Sequence, residues 1–197
     1  LSIGDIGYYG IWAVHVVDGT SRVSAARYAT ARAGGEADDY FTEIFAAQDF
    51  DLSYRRVTFV PTNTLEQYEP FVDYADALGT DPAGSTNLDL SDDSSAEVLL
   101  GGGATVALYG VAYSNLWVGS NGNLTFGGSN NVYSESLDAH FALPRVSAFF
   151  DDLNPAAGGS VAWKQTADRV AITYQQVPEY GQANENTFQV ELFFDGV

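Results

Sequence analysis

From residue 96 onward, apolar and polar positions alternate in short runs separated by Gly, Asn, Asp and Ser. The clearest run is Thr187-Phe-Gln-Val-Glu-Leu-Phe-Phe194. Phe188, Val190, Leu192 and Phe194 point one way and Gln189 and Glu191 the other, because side chains of a strand alternate between its faces. The same pattern predicts strands over residues 96–100, 104–109, 115–119, 123–127, 145–150, 160–164, 169–177 and 187–194. Ser120-Asn-Gly122 predicts a tight hairpin, and Trp163 is expected to face Val170, Ile172 and Tyr174 across another. Many short strands joined by short loops predict an all-β fold, a two-layer antiparallel sandwich. Its core should hold Val118, Phe126, Phe149, Val170, Ile172, Phe188 and Leu192.

The N-terminal part reads differently. Residues 11–17 predict a buried strand, closed by Asp18-Gly19. Residues 22–32 are Ala-rich and fit either a short helix or a second strand, and Gly34-Gly35 marks a break. Residues 38–47 suit one or two helical turns, and 55–60 suit a strand stopped by Pro61. Leu65, Tyr68, Phe71, Val72, Ala75 and Leu78 recur at helical spacing, which predicts a helix over 65–78 that Pro70 starts or kinks. The chain thus divides into an N-terminal strand or linker (1–35), a mixed lead-in (36–86) and a sandwich module (87–197). Asp195-Gly196 is a strong hairpin signal, so a further strand is expected from Val197 onward. The strand at 187–194 then needs a neighbour. It can come from beyond Val197, from residues 11–17 folding back, or from another chain by strand addition, the last implying a homo-oligomer or filament.

Composition narrows the partners. The chain has 197 residues, 46% hydrophobic and 14% aromatic, enough for a sizeable core. Twenty-six acidic residues against 8 basic give a net charge of −18. That field repels phosphate backbones, which excludes nucleic acid as an expected partner, and it suits salt water and divalent cations. With 0 cysteines there are neither disulfides nor thiolate metal sites. No apolar run is long enough to predict a membrane span.

Several motifs follow one another in a characteristic order. Asn87-Leu-Asp-Leu-Ser-Asp-Asp-Ser94 precedes a strand, then come Leu108-Tyr-Gly-Val-Ala-Tyr113, Leu116-Trp-Val-Gly-Ser-Asn-Gly122 and Leu124-Thr-Phe126. After a spacer come Leu143-Pro144, Ala148-Phe-Phe-Asp-Asp-Leu-Asn-Pro155 and Gly158-Gly-Ser-Val-Ala-Trp163. Asp168-Arg-Val-Ala-Ile-Thr-Tyr174, Asn186-Thr-Phe-Gln189 and Phe194-Asp-Gly196 close the series. This order resembles a β-sandwich module of large secreted bacterial proteins, including those of planctomycetes, and is distantly similar to the nidogen-type extracellular domain. The resemblance covers roughly residues 85–197 and implies an extracellular or cell-surface setting. It implies no single activity, because such modules occur in adhesins, matrix proteins and multidomain enzymes.

Candidate chemistry lies in the loops. Asp151, Asp152 and Asn154 end a strand at a Gly-rich loop, Asp89, Asp92 and Asp93 form a second acidic cluster, and Asp49 and Asp51 form another. Clustered oxygens suit calcium, which takes six to eight oxygen ligands. The same residues also suit plain turns, with Asp and Asn bonding their own backbone. Tyr109, Tyr113, Tyr133 and Tyr180 lie near turns and are the candidates for stacking on a glycan or anchoring a protein partner, or else they close the ends of the sandwich. His15 and His140 are the only histidines, and neither sits in a nucleophile motif. The expected function is an extracellular structural or adhesive module without catalytic activity. The alternative is a glycan-binding or accessory domain of a secreted hydrolase.

Overall fold

The computed structural model describes residues 9–13, 42, 45, 50–61 and 68–194. Among the described residues, thirteen strands and one short helix follow in chain order. They are β1 (Tyr9–Ala13), β2 (Arg55–Pro61), β3 (Tyr68–Tyr74), β4 (Thr86–Leu88), β5 (Ser95–Leu99), β6 (Val106–Leu108), β7 (Val111–Tyr113), β8 (Asn115–Gly119) and β9 (Asn123–Thr125). Helix α1 (Leu137–Phe141), β10 (Arg145–Ser147), β11 (Ser160–Gln165), β12 (Arg169–Val177) and β13 (Asn186–Phe193) follow. A seven-stranded sheet has the order β3-β2-β1-β13-β12-β11-β4, a four-stranded sheet the order β10-β9-β8-β5, and β6 and β7 form a separate hairpin. All the pairings are antiparallel. Among the described residues no helix is long and apolar enough to cross a membrane.

The two sheets enclose one apolar core. Val170, Ile172 and Tyr174 of β12 lie level with Leu192, Val190 and Phe188 of β13, and all six are buried. They meet Leu116, Val118 and Leu124 of the four-stranded sheet, with Phe126 and Leu153 filling the ends. Each such side chain contributes about 1.5–3 kcal/mol relative to exposure. Tyr174 stacks on Phe188 with ring centroids 4.4 Å apart, and its hydroxyl donates to Gly119 O across the layers at 2.6 Å. Burial pushes that phenol well above its ordinary range, so it remains a donor. Of the expected core residues, only Phe149 is half-buried rather than buried. Trp163 lies opposite Ile172, as its hairpin requires.

Two expectations change. The segment at residues 65–78 is not a helix where it is described, because β3 pairs along its whole length with β2, from Arg55↔Tyr74 to Pro61↔Tyr68. Pro70 would break a helix interior but is tolerated in a strand at the end of a sheet, where no ladder donor is required on its open side. The second change concerns β13, whose polar face is as buried as its apolar face. Gln189 and Glu191 are both 0% exposed. Gln189 Nε2 donates to Thr80 O (2.9 Å) and Thr173 Oγ1 (2.7 Å), and Thr80 N donates to Gln189 Oε1 at 2.8 Å. Glu191 Oε1 accepts from Thr80 Oγ1 and from Arg169 Nη1.

The neighbour expected for the last strand is present within the chain. β1 pairs with β13 in the register Tyr9↔Leu192 to Trp12↔Gln189, and its other edge pairs with β2. Strands from both sides of residue 87 therefore share one sheet. The expectations for residues 14–17, 22–32 and Asp195-Gly196, and nearly all of those for 38–47, lie outside the described residues, as does His15.

Candidate functional site

One end of the sandwich gathers the loops that hold the acidic clusters. The loop before β5 carries Asp92 and Asp93. Ser94 Oγ donates to Ser91 O at 2.8 Å, and Ser94 and Ser120 exchange bonds (Ser94 N to Ser120 Oγ, 3.0 Å; Ser120 N to Ser94 O, 2.8 Å). This ties the loop to the β8–β9 hairpin. Asp93 has φ of +48°, a left-handed conformation that Asp tolerates better than most residues. The hairpin tip is buried, and Asn121 joins three segments from it. Its Nδ2 donates to Asp93 Oδ1 (3.0 Å) and Val132 O (3.2 Å), while its Oδ1 accepts from Leu153 N (3.0 Å). The next residue has to be glycine. Gly122 has φ of +71°, and a Cβ there would lie 1.7 Å from Phe149 O.

The loop after β10 brings Asp151 to Asn154 alongside. Tyr180 N donates to Asp152 O at 2.7 Å, Asn154 N donates to Pro178 O at 2.9 Å, and Leu153 bridges to Glu179. The result is a group of three carboxylates, Asp92, Asp93 and Asp152, whose ligand oxygens lie within 4.8 Å of one another. Two oxygens on one calcium are at most about 5 Å apart, since each sits 2.3–2.6 Å from the ion. Asp92 Oδ1 is buried and has no hydrogen-bond partner. The other two candidates are placed differently. Asn154 Oδ1 accepts from Ala156 N (3.0 Å) and Ala157 N (3.2 Å), the turn geometry of an Asn bonding its own backbone. Asp151 Oδ1 accepts from Asp152 N at 2.8 Å and lies outside the triad.

Electrostatics at this end are one-signed. Burial raises Asp152, and the charges of Asp93, Asp92 and Glu135 raise it further. Asp92 is raised by burial and then by Asp93. Asp151 is pushed up to about 6, mainly by burial, with Glu179, Glu135 and Asp152 adding repulsion against the bond from the Asp152 amide. None of the ion pairs among the described residues reaches these acids. A divalent cation would relieve the repulsion, and three carboxylates offer up to six oxygens of the kind hard cations take.

The four tyrosines split into pairs. Tyr109 and Tyr113 pack on the core from the β6–β7 hairpin: Tyr109 meets Tyr68 edge-on at 5.3 Å and Tyr113 lies 4.9 Å from Phe126. Tyr133 and Tyr180 are exposed. Both belong to segments tied to the acidic end, through Val132 O on Asn121 and through Tyr180 N on Asp152. Sequence reasoning missed Asn121, Ser120, Glu135 and Glu179. Ser120 and Asn121 were legible only as turn residues, and the two glutamates only as surface charge.

Searches of curated proteins and of solved structures find no match to the chain. A family model described as "NIDO related" matches residues 66–194, which take in β3 to β13 and every residue of the acidic end. The match confirms the nidogen-type resemblance carried by the ordered motifs, and the chain belongs to the NIDO-related family, an extracellular kind of module.

Proposed function

We propose that this chain is a non-catalytic, extracellular structural or adhesive module whose acidic end binds Ca²⁺, the ion tying its loops into one rigid surface. The observation that carries the reading is the convergence of Asp92, Asp93 and Asp152 from two loops, with a buried Asp92 Oδ1 that lacks a partner. In this reading the three carboxylates hold the ion, Asn121 positions Asp93, and Tyr180 N fixes the backbone of Asp152. Burial and neighbouring charge raise the energy of the unneutralised acids, so the ion contributes stability as well as geometry.

A histidine-dependent reaction is disfavoured by the one described histidine. His140 Nδ1 lies 3.3 Å from Ser147 Oγ, but burial, followed by the charge of Arg145, lowers its pKa to about 4. Such an imidazole is a weak base near neutrality, and no carboxylate among the described residues orients it. A second reading, glycan binding, is favoured by exposed Tyr133 and Tyr180 flanking the acidic loops, since such rings stack on sugars. Thermal melting tests the first reading. Millimolar calcium should raise the melting temperature well above the effect of sodium chloride at matched ionic strength. Equal melting in the two salts would remove it.

A further inference from the structure

The outer face of the four-stranded sheet presents a different problem in charge. Glu97, Trp117, Thr125 and Arg145 lie level across β5, β8, β9 and β10, alternating with the core residues Val98, Leu116, Leu124 and Val146. At the Arg145 end of this row the sheet is roofed. Thr125 Oγ1 donates to Gly128 O (2.7 Å), Phe126 N donates to Pro144 O (2.9 Å), and His140 of α1 meets Ser147. Beneath that roof Arg145 is 8% exposed, yet its Nε, Nη1 and Nη2 have no hydrogen-bond partner. Among the described residues the Phe150 ring faces the guanidinium, 4.8 Å away, and His140 lies near enough to feel its charge.

This is costly in any interior and unexpected in this chain. A guanidinium stays charged at all ordinary pH and carries five N–H donors. Burying it without acceptors strips away its hydration, which an ordered partner must replace. The chain has 26 acidic residues, and two other arginines find them: Arg56 pairs with Asp73, and Arg169 with Asp168 and Glu191. Arg145 is kept from all of them among the described residues. A π face satisfies the plane of a guanidinium and leaves its in-plane donors free, the edge that recognises carboxylate or sulfate oxygens in pairs.

We propose that Arg145 is the anchor of a site for a small oxyanion, a carboxylate or sulfate, enclosed between the outer face of β9–β10 and the segment from Gly128 to Pro144. The forked donors would take two oxygens of the ion, with Phe150 behind the guanidinium plane. The low exposure of Arg145 favours a free small ion over the end of a polymer. The proposal does not rest on the calcium reading.

The test compares the wild-type chain with Arg145→Met in sodium sulfate, sodium acetate and sodium chloride at matched ionic strength. Sulfate or acetate at a hundred times its Kd should raise the wild-type melting temperature by roughly 5–10 °C over chloride. Arg145→Met should keep only the small general stabilisation that sulfate gives any folded chain, with acetate and chloride alike, and its response to calcium should stay that of the wild type. Calorimetric titration of the wild type with sulfate and with acetate provides a readout that needs no variant. One saturable site for either ion supports the proposal. An equal shift in Arg145→Met, or no anion dependence in the wild type because buried water serves the guanidinium, would overturn it.

Discussion

Single residues decide the acidic end. Asp152→Asn removes one ligand and one unit of repulsion together, so its effect should change sign with the metal. Without calcium the variant should melt at or above the wild-type temperature, and with calcium it should lose most of the metal-dependent rise. Gly122→Ala should be severe, because the new Cβ would meet Phe149 O at 1.7 Å and the backbone has positive φ. We expect a loss of about 2–5 kcal/mol by urea denaturation. Gly102→Ala, with positive φ but open space, should cost only about 1 kcal/mol. His140 gives a pH signature. Its folded pKa of about 4 lies below the ordinary 6.5, so its contribution is complete above pH 6.5 and is lost as pH falls towards 4. Asp151 works the other way, being raised to about 6, so it favours the folded state as pH falls. The difference between the wild type and His140→Gln isolates the histidine: stability measured from pH 7 to 4 should fall less steeply in the variant. The acids were legible in the sequence as clusters. Their meeting was not, because it depends on Asn121 bridging Asp93, Val132 and Leu153, which are far apart in the chain.

At the scale of elements, alternation located the strands well and misjudged what covers them. β8 and β12 match their expected bounds, since each is a run bounded by breaking residues, Ser114 and Ser120 for β8, Asp168 and Pro178 for β12. β3 was misread because Tyr68, Phe71, Val72 and Ala75 fit a helical period over so short a stretch, and only pairing with β2 decides between the two. Its apolar side chains at Phe71 and Val72 are exposed. Replacing Val72 by Thr should therefore change stability by no more than about 0.5 kcal/mol. The polar face of β13 behaves in the opposite way. Gln189→Ala would strand Thr80 N, Thr80 O and Thr173 Oγ1 in a buried setting and should cost about 1–3 kcal/mol by denaturant unfolding. Sequence pattern assigned Gln189 and Glu191 to the face away from the core. It carried no sign that Thr80, more than a hundred residues earlier, would lie over that face.

At the scale of the molecule, the two-layer sandwich was expected from many short alternating strands and the nidogen-type resemblance from the order of short motifs; the sheet topology agrees with the first and the family match over residues 66–194 with the second. Part of the net charge of −18 acquires a location, since Asp92, Asp93, Glu135, Asp151, Asp152 and Glu179 gather at one end. The edge of β13 no longer calls for a second chain, because β1 occupies it. The case for a structural or adhesive role therefore rests on the acidic end rather than on strand exchange. Calorimetric titration of the metal-free chain with calcium tests that case most directly. The account predicts one saturable site in the wild type that is absent in Asp152→Asn. No heat of binding at millimolar calcium, or the same isotherm in both proteins, would contradict it.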